Sequence, residues 1–316
     1  MKKAVVLLNM GGASNLFEVE IFLKNLFSDP HILQIKNNFL RKIVGNFIAN
    51  KRLVEAKKNY QAIGGGSPIA RHTFALTQKL KSLDTNTFYT YAMRYTPPYS
   101  SMVIDELISQ EITSVTLFSM YPQYSTTTTL SSLQDFQTQC QQKQYTPTIQ
   151  IIDRYYKHPL FIQAITQQIL HTLSDKNPQD YTLLLSAHGL PQSIIDAGDP
   201  YQHECEQTCQ ALQNHLALQG IVFKEIKLSY QSKMGPMKWL EPSTKNTIKK
   251  LKNQNVIIYP LTFTIDNSET LYELAIELRQ IFAQSGGNDF LLCPCFNDND
   301  LFAKLIINLT QGGQHD

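Results

Sequence analysis

His188 is the residue whose type and position point most directly to chemistry. It follows the apolar run 182–186 and lies among the small residues of segment 186–191. A neutral imidazole in such a turn is a general base around neutral pH and the commonest metal ligand in proteins. The alternative is a histidine that only hydrogen-bonds the loop backbone, and its position alone favours neither.

Two carboxylates follow another apolar run, 256–260. Asp266 and Glu269 are three positions apart, a spacing that places side chains on one face of a helix. Such a pair would bind a cation or transfer protons. The same pattern is also typical of helix capping, with Asp266 or Ser268 as the N-cap. The two interpretations are compatible, because a capped helix start also orients a carboxylate.

Glycines and cysteines give weaker signals. Segment 64–68 lacks the spacing and the lysine of a phosphate-binding loop, so we interpret it as a flexible turn before a helix. The pairs Cys205/Cys209 and Cys293/Cys295 lack further ligands at zinc-site spacing, and we expect small buried side chains there. The odd total of 5 cysteines favours a reducing cytoplasm.

Short apolar runs alternate with longer segments of helical periodicity, the pattern of parallel α/β sheets. The runs predicted as strands are 4–8, 88–93, 114–120, 148–153, 182–186, 223–229, 256–260 and 289–293. Segment 7–12 also resembles segment 184–189. We therefore predict two similar doubly wound, Rossmann-like parallel-sheet domains, 1–155 and 156–316, with the last helix able to pack back on the first. Ligands of such sheets bind at the carboxyl ends of strands.

Composition excludes several classes of function. Charged residues make up only 17% of the 316 and the net charge is +2, so no field large enough for nucleic acid is present. No apolar run is long enough to span a bilayer. The start of the chain is predicted to be a buried strand rather than a signal peptide. We expect a cytoplasmic protein.

Segment 35–52 is basic and amphipathic, with more apolar residues than one buried face needs. It is typical of a helix that lies on a membrane surface or forms the apolar rim of a pocket. An ordinary helix packed on a sheet explains the pattern equally well. If the first interpretation holds, the protein makes peripheral contact with the inner face of the membrane.

The motifs together resemble the ferrochelatase family over nearly the whole chain. The segments that carry the resemblance are 8–12, 63–69, 93–95, 121–125, 186–191, 198–201, 230–239 and 269–273. The resemblance implies two chelatase-type domains around a central cleft. It also implies an enzyme of haem synthesis that inserts Fe²⁺ into protoporphyrin IX with loss of two pyrrole N–H protons.

The resemblance also implies roles for particular residues. His188 and Glu269 would form the metal-handling pair, with Asp266 as a further catalytic group. The positions matched to porphyrin contact or support are Met10, Lys51, Arg52, Tyr60, Ser67, Arg94, Tyr201 and Trp239. Aromatic rings and methionine suit a flat macrocycle, while hydroxyls and cations suit its propionates. Porphyrin and ferrous iron are the implied substrates, and protein partners stay unknown.

Two departures from the family pattern qualify these expectations. Asn267 stands where the family usually has a histidine, and an amide cannot transfer a proton. The cysteines near the end of the chain do not form a cluster-binding set, so we predict no cofactor beyond the Fe²⁺ substrate and no iron–sulfur cluster. The alternatives are a non-catalytic tetrapyrrole or metal carrier, or a chelatase acting on coproporphyrin or another divalent metal.

Overall fold

The apolar runs of the sequence form the strands of two parallel sheets. The computed structural model describes residues 2–233, 235 and 237–312. Within this part the chain divides into one unit of residues 2–154 and 306–312 and a second of residues 155–305. The α/β prediction is confirmed, and the structural bounds of the strands differ from the predicted ones by a few residues.

Both sheets have the same strand order. The first contains β1 (Lys3–Asn9), β2 (Thr87–Met93), β3 (Ser114–Ser119) and β4 (Thr148–Ile152) in the order β2-β1-β3-β4. The second contains β5 (Tyr181–His188), β6 (Glu225–Gln231), β7 (Asn255–Pro260) and β8 (Phe290–Leu292) in the order β6-β5-β7-β8. The internal similarity read from the sequence thus corresponds to the same position of β1 and β5 in their sheets.

Helices connect the strands. They are α1 (Val19–Ser28), α2 (Asn38–Ala62), α3 (Ile69–Leu83), α4 (Ser100–Ser109), α5 (Ser131–Gln142), α6 (Pro159–Leu173), α7 (Gln192–Asp196), α8 (Tyr201–Leu218), α9 (Thr244–Lys249), α10 (Arg279–Gln284) and α11 (Asp300–Thr310). A π-helical segment follows the third strand of each sheet, at Thr126–Leu130 after β3 and at Glu269–Leu278 after β7. Such segments are rare and occur often at functional sites.

Each unit has its own apolar core on its sheet. Val6 of β1 and Leu117 of β3 are fully buried with Phe136 of α5 in the first unit. Leu184 of β5 and Leu274 of the second π-helix are fully buried in the other. Removing each such side chain from water contributes about 1.5–3 kcal/mol, so the sheets are firm supports for the loops after their strands.

The strand order determines which loops can carry a site. In the second sheet β5 pairs with both β6 and β7, and the chain runs from β5 to β6 on one side and then crosses to β7 on the other side of β5. This is the topological switch point of an open α/β sheet, where ligands bind. Ser186 of β5 lies opposite Pro260 of β7. The residues that follow these two strands are therefore neighbours.

Helix α2 is longer than the basic amphipathic segment from which it was predicted. Asn37 caps its start by accepting hydrogen bonds from the N–H groups of Phe39 and Leu40 at 2.9 and 3.1 Å. Gly45 packs against α1 so closely that a Cβ there would lie 2.4 Å from the carbonyl oxygen of Phe27. Within the described residues, no helix is long and apolar enough to cross a membrane.

Candidate active site

His188 is the last residue of β5, and its backbone is held on both sides. Its N–H donates to Thr262 Oγ1 at 3.0 Å, and its carbonyl accepts from the Tyr201 hydroxyl at 2.7 Å. Gly189 comes next, and a Cβ there would lie 2.4 Å from the carbonyl oxygen of Gln231. The close approach requires glycine and fixes the turn that presents the imidazole.

Glu269 begins the π-helix after β7 and meets His188 directly. The distance from His188 Nδ1 to Glu269 Oε2 is 2.9 Å. The same carboxylate oxygen accepts from Ser232 Oγ at 2.9 Å and from Gln231 Nε2 at 3.3 Å. The structure thus brings together the two residues predicted to handle the metal, although they are 81 positions apart.

The contact determines which atoms are available for chemistry. A carboxylate only accepts hydrogen bonds, so Nδ1 of His188 carries the proton and Nε2 keeps its lone pair. Among the described residues, none hydrogen-bonds to Nε2 of His188 or to Oε1 of Glu269. The side chains are 30% and 28% exposed, so both residues are partly accessible to a substrate.

The two side chains shift each other's pKa in opposite directions. Burial alone would lower the pKa of His188, but the charge and hydrogen bond of Glu269, with the charge of Glu273, raise it. Burial alone would raise the pKa of Glu269, but His188, Ser232 and Gln231 lower it. The contact with Glu269 therefore makes His188 a stronger base than an isolated imidazole and stabilises the charge that Nε2 would gain by accepting a proton.

The prediction that Asp266 and Glu269 share one helix face is wrong. Asp266 precedes the helix, and its oxygens accept from Thr270 Oγ1 at 3.0 Å, Cys295 N at 3.2 Å and Asn297 Nδ2 at 2.7 Å. Asp266 is buried, and its contacts join three segments of the second unit. These contacts favour a structural role for Asp266, although not that of an N-cap, and its catalytic role stays a prediction.

The helix cap belongs to Asn267 rather than to Asp266 or Ser268. Asn267 Oδ1 accepts from the N–H of Glu269 at 2.8 Å and from that of Thr270 at 3.4 Å. Its Nδ2 donates to the carbonyl of Ile265 at 3.2 Å. The residue that departs from the family pattern thus holds the backbone of Glu269, because asparagine is a strong N-cap.

Ser232 and Glu273 belong to the site, although neither was singled out from the sequence. Ser232 Oγ lies 2.6 Å from Glu273 Oε2, and its N–H donates to Glu273 Oε1 at 2.8 Å. Burial and the charge of Glu269 raise the pKa of Glu273. The sequence signal was the pair Glu269/Glu273, since two acids one turn apart repel each other without a ligand or donor between them.

Tyr201 and Trp239, predicted to contact porphyrin, both support the turn that carries His188. Tyr201 reaches the carbonyl of His188 from the start of α8. Trp239 forms an antiparallel bridge with Pro191, and its Cε3 lies 3.5 Å from where a Cβ on Gly189 would be. Both side chains are 5% exposed.

The first unit holds the remaining predicted porphyrin residues. Met10, just after β1, packs against a cluster that contains the buried Tyr60, whose hydroxyl accepts from the N–H of Ala13 at 3.3 Å. Ser67 is also buried, and its N–H donates to the carbonyl of Ala13 at 2.7 Å. These residues therefore meet around the loop that follows β1.

Arg94 and the cations of α2 have different surroundings. Arg94 forms ion pairs with Asp29 at 2.9 Å and with Asp135 at 3.5 Å, so its charge is already balanced within the first unit. Lys51 is exposed on α2. Arg52 is half-buried, with its guanidinium carbon 5.8 Å from the centre of the Phe27 ring.

The cysteines behave as expected from their spacing. Cys205, Cys293 and Cys295 are buried, Cys209 is half-buried, and burial raises the pKa of Cys209 to about 11. Within the part of the chain that the structure describes, no group of three or more His, Cys, Asp or Glu side chains could hold a resident metal. The absence of an iron–sulfur cluster stays a prediction.

Solved structures with a similar backbone are chelatases. SirB from Bacillus subtilis with Fe³⁺ superposes with a TM-score of 0.61 at 10% identity, covering 98% of this chain and 95% of that one. CbiX, described as the terminal enzyme for biosynthesis of siroheme in denitrifying bacteria, gives 0.57 at 12% identity and covers 98% of both chains. At these identities the likeness shows the fold alone. The fold is that of the two-domain chelatases.

The sequence comparisons identify the family within that class. The family model "Ferrochelatase" matches residues 2–313. The ferrochelatase of Wolinella succinogenes is 53% identical over 314 residues, which cover 99% of both chains. That of Helicobacter acinonychis is 53% identical over 311 residues, covering 98% of this chain and 92% of the relative. The chain belongs to the ferrochelatase family, which confirms the resemblance, and it is a metal chelatase of haem biosynthesis.

Proposed function

We propose that this protein inserts Fe²⁺ into protoporphyrin IX to form protohaem, and that His188 and Glu269 handle the metal and the protons. The observation that carries the assignment of residues is the 2.9 Å contact between His188 Nδ1 and Glu269 Oε2. It lies at the switch point of the second sheet and leaves Nε2 of His188 and Oε1 of Glu269 without a hydrogen bond to the described residues. An imidazole and a carboxylate both bind ferrous iron weakly enough to release it.

The exchange of protons for metal balances without a change in oxidation state. Two pyrrole N–H protons leave the porphyrin, whose core becomes a dianion, and Fe²⁺ takes their place. Nε2 of His188 accepts the first proton, and the carboxylate of Glu269 stabilises the imidazolium. Because His188 is partly exposed, the imidazolium releases that proton to solvent, and the regenerated neutral imidazole accepts the second.

Oε1 of Glu269 supplies the first protein ligand for the incoming ion in this proposal. Its other oxygen is occupied by His188, Ser232 and Gln231, which hold the carboxylate in place. Outer hydrogen bonds of this kind orient metal ligands and maintain their basicity. The ion is then released to the porphyrin nitrogens, which hold it more tightly.

We also propose that the porphyrin is recognised by the residues matched to that role. Met10 offers an apolar surface, and Ser67, Lys51 and Arg52 offer a hydroxyl and cations for the propionates. The exposed ammonium of Lys51 supports this assignment. The contacts of Arg94, Tyr60, Tyr201 and Trp239 favour a supporting role behind the surface that meets the macrocycle.

Helix α2 is proposed as a peripheral membrane contact. Phe39 and Phe47 are 75% and 69% exposed, and Leu40 and Ile43 between them are half exposed. Exposed lysines lie near this apolar surface, at Lys36, Lys42 and Lys51. An apolar face flanked by cations binds anionic lipid surfaces. The expected occupant is therefore the surface of an anionic membrane.

Anaerobic absorption spectroscopy tests the catalytic proposal. Protoporphyrin IX and Fe²⁺ are mixed with the protein, and the free-base spectrum should convert to that of haem with turnover. A spectral shift without conversion would favour a porphyrin carrier instead. Parallel reactions with coproporphyrin and with Zn²⁺ or Co²⁺ distinguish the substrate preferences, and faster turnover of coproporphyrin would overturn the assignment of protoporphyrin.

Flotation with lipid vesicles tests the membrane proposal. Wild type should float with vesicles containing anionic lipid and much less with neutral vesicles. The double variant Phe39→Ser/Phe47→Ser should lose binding. Leu218→Ser is the control, because Leu218 on α8 is 87% exposed but lies in the other unit. Equal flotation of both variants would contradict the proposed surface.

A further inference from the structure

Ser232 has an unusual backbone conformation at the edge of the proposed site. Its φ angle is 64°, in the left-handed region that side chains other than glycine rarely adopt. A folded protein keeps such backbone strain only where the surrounding contacts outweigh its cost. Strained residues are therefore enriched at functional sites. A glycine would adopt this backbone with less strain.

The left-handed conformation directs two donors of one residue at two carboxylates. The N–H of Ser232 donates to Glu273 Oε1 at 2.8 Å. Its hydroxyl oxygen lies 2.9 Å from Glu269 Oε2 and 2.6 Å from Glu273 Oε2. A single serine therefore bridges two acids that lie four positions apart on the π-helix.

The bridge is part of the packing around His188. Gln231, just before the serine, donates to Glu269 through its side chain and accepts from the N–H of Gly189 at 2.9 Å through its carbonyl. The end of β6 is thus tied both to the turn that carries His188 and to Glu269. The position of Ser232 relative to the metal-handling pair is well defined.

We propose that Ser232 is a positioning residue for metal uptake, which holds Glu269 with one oxygen on His188 and leaves the other for Fe²⁺. The proposal rests on the assignment of Glu269 as a metal ligand. Without the hydroxyl, Glu269 would lose one of its holding contacts, and Glu273 would keep only the backbone N–H of Ser232 as its link to this residue. The metal should then bind more weakly, whereas porphyrin binding should change little.

Two substitutions separate this role from a structural one. Ser232→Gly removes the hydroxyl, keeps the backbone N–H and relieves the strain at positive φ. Ser232→Ala removes the hydroxyl and keeps the strain. Both should raise the KM for Zn²⁺ and for Fe²⁺ about 10-fold, because outer-shell partners of metal ligands typically contribute that much or more. The porphyrin KM should stay within about 2-fold.

Thermal unfolding distinguishes a positioning role of Ser232 from a purely structural one. Ser232→Gly should unfold at the wild-type temperature or above it while its metal KM rises. The control is Ser174→Gly, since Ser174 is exposed, has a φ of 54° and lies outside the site. This control should gain stability and keep both KM values.

These experiments distinguish a failure of the role proposed for Ser232 from a failure of the proposed function. An inactive wild type would overturn the chelatase assignment itself. An active wild type with an unchanged metal KM in Ser232→Gly would overturn only the role of Ser232. A fall in unfolding temperature with equal rises in both KM values would likewise overturn it and assign Ser232 to the fold.

Discussion

The hydroxyl of Tyr201, at the start of α8, donates a 2.7 Å hydrogen bond to the backbone carbonyl of His188. Burial raises the pKa of Tyr201 well above its ordinary value of 10.0, so the phenol keeps its proton and acts as a donor. The bond joins α8 to the last residue of β5. It indicates that the proposed catalytic histidine is held through its backbone as well as through its side chain.

Tyr201→Phe should therefore slow turnover by misplacing His188. We expect kcat to fall roughly 10-fold, with a loss of about 1 kcal/mol in the free energy of unfolding. The porphyrin KM should change little in steady-state assays. Tyr145→Phe is the matched control, because its hydroxyl also donates to a backbone carbonyl, that of Ile112 at 2.8 Å, in the other unit. A rise in porphyrin KM alone would favour direct contact between Tyr201 and the porphyrin.

His188→Ala and Glu269→Gln should each remove iron insertion. Loss of a positioned base or ligand lowers kcat by at least roughly 100-fold, while the porphyrin Kd should stay within about 3-fold. Glu269→Gln keeps a side-chain oxygen for Ser232 and Gln231, so it should fold. Anaerobic turnover and fluorescence titration measure the two effects. His171→Ala, at an exposed position of α6, is the control, and turnover retained by His188→Ala would refute the assignment.

The pair should also make stability depend on pH. The raised pKa of His188 gives a contribution that is complete below its ordinary value of 6.5 and is lost as pH rises through the raised pKa. The lowered pKa of Glu269 gives a contribution that is complete above 4.5 and is lost as pH falls through the lowered pKa. The pair therefore stabilises the metal-free protein most between pH 4.5 and 6.5.

Chemical denaturation of wild type and His188→Ala measures this dependence. The difference in free energy of unfolding between the two proteins should be largest between pH 4.5 and 6.5 and should shrink at lower and at higher pH. A difference that is independent of pH would show that the two side chains do not form a charged pair in the folded protein.

Asn267→Ala should weaken the start of the π-helix. The loss of the cap costs about 1 kcal/mol of stability, and because the N–H of Glu269 loses its partner, kcat should also fall several-fold. Asn267→His should retain much of the stability and of kcat, because a histidine can also cap a helix. His158 does so at α6 in this chain by accepting from the N–H of Leu160. Denaturation and turnover measurements check this. Wild-type stability in Asn267→Ala would show that the cap is unimportant.

Asp266→Asn distinguishes the two roles considered for Asp266. Thr270, Cys295 and Asn297 all donate to its carboxylate, so an amide NH₂ at this position would face a donor, at a cost of about 1–3 kcal/mol. Turnover per folded molecule should stay near wild type. A stable variant with a large fall in kcat would instead establish Asp266 as a catalytic residue.

Local patterns predicted the strands and the partly exposed position of His188 correctly, because consecutive apolar residues are enough to indicate a buried strand. The run 182–186 predicted β5, and the small residues after it predicted an accessible histidine. The helix-face argument for Asp266 and Glu269 failed for a physical reason. It assumed an α-helix already formed at Asp266, whereas the chain enters the helix after Asn267 and continues as a π-helix.

The sequence by itself determined the α/β class, the family and the two residues of the proposed metal-handling pair. The tertiary structure alone decided that Glu269 contacts His188 through one oxygen, that Asn267 caps its helix and that Ser232 bridges Glu269 and Glu273. The contacts of Glu269 with Ser232 and with His188 join residues 37 and 81 positions apart. Their geometry depends on the register between β5, β6 and β7, which is set by the packing of the whole sheet and by no local run of residues.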